Sequence, residues 1–234
     1  PYADLPTSTG LNIDPPELLR ETARLAAEHG LQLCVHAIGD RANRVALDVY
    51  QEVIDSRPDG RSLRWRIEHA QHLDPADVTR FAELGVIAAM QPVHCVSDGP
   101  WVPKRLGEPR AGERTYVWRS LIDSGALVSN GTDVPVEDID PLASFRASVT
   151  REMVNGQRFH PEQNMTRQEA LASYTWNNAY AGFEEDLKGS LAPGKLADFV
   201  VLDRDILRVP DAELASAQVL HTVLAGRVVY SRAP

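Results

Sequence analysis

Val35-His-Ala-Ile-Gly-Asp40, Ile67-Glu-His-Ala-Gln71 and Gly131-Thr-Asp-Val-Pro135 decide how this chain folds. Each closes a run that reads as a strand: Leu31–Val35 leads to His36, Arg64–Glu68 to His69, and Leu127–Asn130 to Asp133. Parallel α/β proteins gather their chemistry at the C-terminal ends of strands, where the loops converge on one mouth. Two imidazoles and a carboxylate delivered that way suit a Zn²⁺-type hydrolytic site.

The segments between these strings alternate as helix and strand. Asp14-Pro15-Pro16-Glu17 reads as an N-cap followed by proline in the first turn, and Gly30 stops that helix after His29. The first strand is Leu31–His36, and a helix over about 41–56 ends at Arg57-Pro58-Asp59-Gly60. Arg64–His69 is the second strand. Asp74-Pro75 opens a helix that ends near Leu84-Gly85, and Val86–Met90 is the third strand. Residues 91–113 hold four prolines and three glycines, which predicts a long functional loop or lid. Helices over 115–124 and Pro141–Val154 flank a fourth strand, Ala126–Asn130. Thr166-Arg-Gln-Glu169 is a capping box for a helix reaching Ala181. Four strand–helix units predict a parallel sheet whose strands are apolar on both faces. After 182 the pattern changes. Residues 198–203, 219–224 and 228–230 read as strands, the last two forming a hairpin, so a small β appendage follows.

Composition narrows the function. The 234 residues are 43% apolar, enough for a packed core. The net charge of −9 without a basic cluster argues against nucleic acid. No run is long enough to span a membrane. Cys34 and Cys95 stand far apart; Cys34, in an apolar strand, reads as a buried thiol, and a reducing, cytoplasmic setting follows.

A single histidine at a strand end is more often structural; matched placement of His36 and His69 turns the reading toward a pair of ligands. Asp133 reads either as an Asx turn or as a metal-holding carboxylate that takes a proton from water. His94, just past the third strand, could face the site. Asp40 is most simply the N-cap of its helix, with substrate contact as the other reading. Glu68 and His72 read as structural, His29 as a helix C-terminal residue, and Tyr116, Trp118 and Trp176-Asn-Asn178 as packing.

Val35-His-Ala-Ile-Gly-Asp-Arg-Ala42, Arg66-Ile-Glu-His-Ala-Gln71 and Asn130-Gly-Thr-Asp-Val-Pro-Val136 resemble the motifs of the amidohydrolase superfamily, in the branch that contains N-substituted formamide deformylase. Gly189–Asp203 and Val223–Tyr230 resemble that superfamily's C-terminal signature, so the likeness runs from end to end. It implies an α/β fold, the C-terminal half of a (β/α)8 TIM-type barrel over 1–188, with a β appendage over 189–234. It implies hydrolysis of carbon–nitrogen bonds in non-peptide amides. His36, His69 and Asp133 would be metal ligands, at the ends of barrel strands five, six and eight. The cofactor would be one or two divalent ions, zinc above others. Asp133 would also be the catalytic proton carrier as metal-activated water attacks the carbonyl carbon.

The family's His-x-His motif of strand one and its strand-four lysine motif are absent. The chain therefore reads as a C-terminal fragment that needs a missing N-terminal half, is inactive alone, and self-associates through its open edges. A non-catalytic α/β binding or assembly module is the alternative from another class, and a stand-alone mononuclear hydrolase is a third reading.

Overall fold

The computed structural model describes residues 1–233. Four strands, β1 (Cys34–Ala37), β2 (Arg66–His69), β3 (Ile87–Met90) and β4 (Val128–Asn130), form one parallel sheet in sequence order. Helix α1 (Pro16–Glu28) precedes β1, α2 (Asp40–Ile54) joins β1 to β2, and α3 (Pro75–Leu84) joins β2 to β3. Between β3 and β4 lie α4 (Pro92–Asp98), α5 (Val102–Leu106), α6 (Glu108–Arg114) and α7 (Trp118–Asp123). Beyond β4 come α8 (Pro141–Thr150), α9 (Arg167–Tyr174) and α10 (Trp176–Ala181). A second, antiparallel sheet holds β5 (Phe199–Leu202), β6 (Val219–Leu224) and β7 (Arg227–Ser231), with the short α11 (Asp211–Leu214) between its first two strands. This is a partial barrel with a β appendage.

Local chemistry sets the boundaries. Asp74 caps α3 by accepting from the Ala76 N–H at 3.1 Å, and Gly85 ends it at φ +69°, a conformation that glycine takes without strain. Thr166 and Glu169 exchange both bonds of a capping box. The core lies between the sheet and its helices. Ile67, Ala88, Met90 and Val128 face Leu47, Tyr50, Phe81 and Leu121, all buried, and each large apolar side chain removed from water contributes about 1.5–3 kcal/mol. Trp65, also buried, donates its indole N–H to the Leu31 carbonyl at 2.9 Å.

Several expectations need correcting. Residues 91–113 are not a loop: three short helices fill them, and Pro92, Pro103 and Pro109 each sit in a first turn, where the missing N–H costs nothing. The helix expected to reach Ala181 is broken at Thr175, whose φ −124°, ψ −90° is not helical. Asp14 caps nothing; Pro15 holds that position. Asp40 is not an N-cap either but the first residue of α2 behind Gly39. Its carboxylate instead accepts from the Arg41 N–H at 2.9 Å and pairs with Arg114 at 3.1 Å.

Cys34 is exposed rather than buried. The cause is the face it occupies. In β1 the buried residue is Ala37, on the helix-covered side, while Cys34 and His36 alternate onto the other side and are exposed. By register Arg66 and Glu68 share that side, where they pair at 2.9 Å. β1 and β2 are thus apolar on one face only, with a polar inner face, whereas β3 is apolar and buried on both faces as expected. The edge of β4 is also less open than two-sided apolar strands would suggest. Asn177 and Asn178 of α10 donate their amides to the Val128 and Asn130 carbonyls at 2.8 and 3.0 Å.

Candidate metal centre

The C-terminal edge of the parallel sheet carries every residue singled out for chemistry. His69 ends β2 and Asp133 follows β4, both with left-handed backbone, φ +76° and +62°. Histidine and aspartate are among the residues other than glycine that take such values most readily, and the conformation aims a side chain where an extended strand would not. His94 comes from the first turn of α4. Together His69, His94 and Asp133 offer ligand atoms that all lie within 4.8 Å of one another. The Asp133 Oδ2 is 3.4 Å from His94 Nε2 and 4.0 Å from His69 Nε2. A tetrahedral ion held at about 2.1 Å separates its ligands by about 3.4 Å, so a small inward movement closes the group.

His36 stands beside this cluster. Its ring meets His69 edge-on, centroids 4.5 Å apart, from the exposed side of β1. The structure therefore brings His36, His69 and Asp133 to one mouth, and the tightest donor set includes His94, which the sequence offered only as a residue that could face the site. His69 Nδ1 is buried without a hydrogen-bond partner. The nitrogen measured toward Asp133 is the other one, Nε2, and two imidazoles with one carboxylate in a convergent set fit a divalent ion. Burial, and next the charge of His36, lowers the pKa of His69, while Asp133 opposes the shift. The lowered value keeps the imidazole neutral and able to ligate.

Supports around the centre were not legible in the motifs. Asn43, fully buried in α2, donates its amide to the Ala37, Ile38 and Gly39 carbonyls and to that of His72, at 3.1, 3.3, 2.9 and 3.2 Å. It ties the turn after His36 to the turn after His69. Gln71 donates to the Tyr116 hydroxyl at 2.7 Å, and buried Arg151 donates to the Tyr116 carbonyl at 2.8 Å while stacking on Trp118 at 4.3 Å. Glu137, four residues after Asp133, faces His94 from the far side at 3.4 Å. An acid in a proline-bearing loop was the only available signal for it.

His72 packs structurally. Its Nδ1 meets the Thr115 hydroxyl at 3.0 Å, and burial lowers its pKa to about 4. Asp40 remains outside the donor cluster, on the wall of a cavity of about 1010 Å³ that opens beside His36 and is also lined by Leu11, Trp101, Arg105 and Arg114.

Comparison with known proteins identifies the family. The amidohydrolase family profile matches residues 1–230. The LONG AFTER FAR-RED 3 protein of Arabidopsis thaliana is 40% identical over 230 residues, 98% of this chain and 39% of its own length. The N-substituted formamide deformylase of Arthrobacter pascens is 30% identical, over 97% of this chain and 41% of its own. An uncharacterized metal-dependent hydrolase of Pyrococcus horikoshii OT3 superposes with a TM-score of 0.79 at 31% identity, covering 91% of this chain and 42% of that one. The chain belongs to the amidohydrolase family. It spans about two-fifths of the length of these relatives.

Proposed function

We propose that this chain carries one wall of the active centre of a metal-dependent hydrolase of carbon–nitrogen bonds in non-peptide amides. The observation that carries the reading is the convergence of His69, His94 and Asp133 within 4.8 Å, with the His36 ring against His69. Family membership and the deformylase relative support the bond type.

His36, His69, His94 and Asp133 would hold the ion, with zinc favoured by a nitrogen-rich set. The ion, when bound, supplies Lewis acidity and lowers the pKa of water toward about 7. His69 contributes a nitrogen kept neutral by burial. Asp133, about one-third exposed at the mouth, contributes an oxygen and accepts a proton as water is deprotonated. The cavity of about 1010 Å³ meets this centre only at His36; His69, His94 and Asp133 do not line it. The barrel segment over 1–188 and the appendage over 189–234 would be separate units, a division supported by the change from a parallel to an antiparallel sheet. Full turnover would require a further His-x-His wall on a partner segment, so the chain by itself would bind metal and turn over little amide.

Calorimetric titration of the chain with Zn²⁺ tests the centre: binding should be abolished or strongly weakened in His69→Ala and in Asp133→Ala. Binding that ignores both changes refutes the assignment. Hydrolysis of an N-substituted formamide by the chain alone, fast and lost in His69→Ala, would show instead that these donors suffice.

A further inference from the structure

His94 is flanked by two carboxylates that come from one loop. Asp133 faces its Nε2 at 3.4 Å and Glu137 faces its Nδ1 at 3.4 Å. The ring is buried, about 8% exposed as a side chain, so water does not mediate freely on either side. Glu137 is itself held. The Ser97 hydroxyl, one turn beyond His94 on α4, donates to the same Oε1 at 2.6 Å. A carboxylate oxygen that already accepts from Ser97 favours a proton on the ring nitrogen that faces it. In a neutral imidazole that leaves Nε2 as a bare lone pair. A bare lone pair 3.4 Å from the Asp133 oxygen repels it unless a cation lies between them. His69, the third donor, borders that same space.

We propose that Glu137 is a positioning residue that fixes His94 as its Nδ1–H tautomer and so presents Nε2 to the cation shared with His69 and Asp133. The proposal rests on the metal-centre reading above. At 3.4 Å the contact is longer than a full hydrogen bond, so the charge of the carboxylate, more than a short bond, orients the ring. Carboxylates behind metal-bound imidazoles act in this way, by setting the tautomer and raising ligand basicity. Ser97 acts one step further back, by keeping Oε1 on the His94 side. The loop from Asp133 to Glu137 then does two jobs: its first acid belongs to the donor set and its second prepares another donor.

The test uses the chain with ¹⁵N-labelled histidine. With Zn²⁺ bound, long-range ¹H–¹⁵N correlation should show His94 protonated at Nδ1 and bare at Nε2. Glu137→Gln should keep that tautomer, because the amide oxygen still accepts from both Nδ1–H and Ser97, whereas Glu137→Ala should give a mixture. Zn²⁺ calorimetry should show a loss of about 10–100-fold in Glu137→Ala and a smaller loss in Glu137→Gln. A merely structural role for Glu137 would move thermal stability but not the tautomer. Should Glu137→Ala fail to fold, Ser97→Ala carries the test, with a change of the same sign in tautomer and affinity. A proton on His94 Nε2 in the zinc-bound unaltered chain overturns the proposal. Zinc binding undiminished in Glu137→Ala overturns it while leaving the metal centre standing. Zinc binding absent from the unaltered chain overturns both.

Discussion

Replacing Asn43 tests whether a buried amide holds the two histidine-bearing turns together. Its NH2 group has two hydrogens and four carbonyl oxygens within 3.3 Å, so it makes at most two full bonds at once. The Ile38 carbonyl keeps the His72 N–H at 2.9 Å and the Gly39 carbonyl keeps the Asn43 N–H at 3.0 Å. Asn43→Ala therefore removes about two hydrogen bonds and should cost about 1–3 kcal/mol. Asn43→Asp has nearly the same shape but places a carboxylate, with no proton to give, among four carbonyl oxygens at a fully buried position. It should cost more than the alanine change, on the order of 3–5 kcal/mol at neutral pH. The sign of its pH dependence follows. Burial among acceptors raises the folded pKa of that carboxyl above its unfolded value, so the penalty is complete above the folded pKa and shrinks as pH falls and the group protonates. Urea unfolding at neutral and mildly acidic pH, read as midpoints at constant slope, measures both variants. Zinc affinity of each folded variant should also fall, because the turns after His36 and His69 lose their shared tie. Two results would refute the reasoning: an aspartate variant as stable as the alanine variant at neutral pH, or both within about 0.5 kcal/mol of the parent.

Two further outcomes are expected. Because burial holds the His72 pKa at about 4 in the folded chain, the unfolded chain takes up an extra proton as pH falls from about 6.5 toward 4. Stability should drop by about 2–3 kcal/mol over that window and be independent of His72 above it. His72→Gln should flatten the slope in pH-dependent urea unfolding, and an unchanged slope would show that His72 is not the group responsible. Asn177→Ala combined with Asn178→Ala removes the donors on the open-edge carbonyls of β4, so sedimentation velocity should show stronger concentration-dependent association than in the parent. A double variant that sediments like the parent would mean that this edge is not a route of association.

The parallel-sheet architecture was legible because each strand ends in a short, punctuated signal. Asp74-Pro75 and Gly85 bracket α3, and the capping box at Thr166 starts α9, through purely local chemistry. The misreadings have equally physical causes. Prolines in 91–113 suggested a loop, yet proline in a first turn starts a helix as readily as it breaks one in the middle. Cys34 looked buried because its neighbours Leu33 and Val35 are apolar, but burial depends on which face of the sheet is covered, and one-dimensional pattern does not carry that in so short a strand.

The same limit explains the centre. His36 and His69 were found because they close strands, which is a sequence-local property. His94 and Glu137 enter through tertiary geometry: α4 folds back over the end of β3, and the loop after β4 swings across it so that its two acids clasp one imidazole. Backbone conformation completes the arrangement. The left-handed φ at His69 and Asp133 turns both side chains toward His94, at an energetic cost that flat β geometry would avoid. Strain of this kind persists only where the surroundings over-determine it, and here they do. The turn after His69 is tied by the Asn43 amide to the His72 carbonyl, and the end of β4 is held by the Asn130 amide on the Ser173 hydroxyl at 2.7 Å. Buried amides that brace the segments next to His69 and Asp133 are details that the proposed metal reading accounts for and that a module built only to bind or assemble would not require.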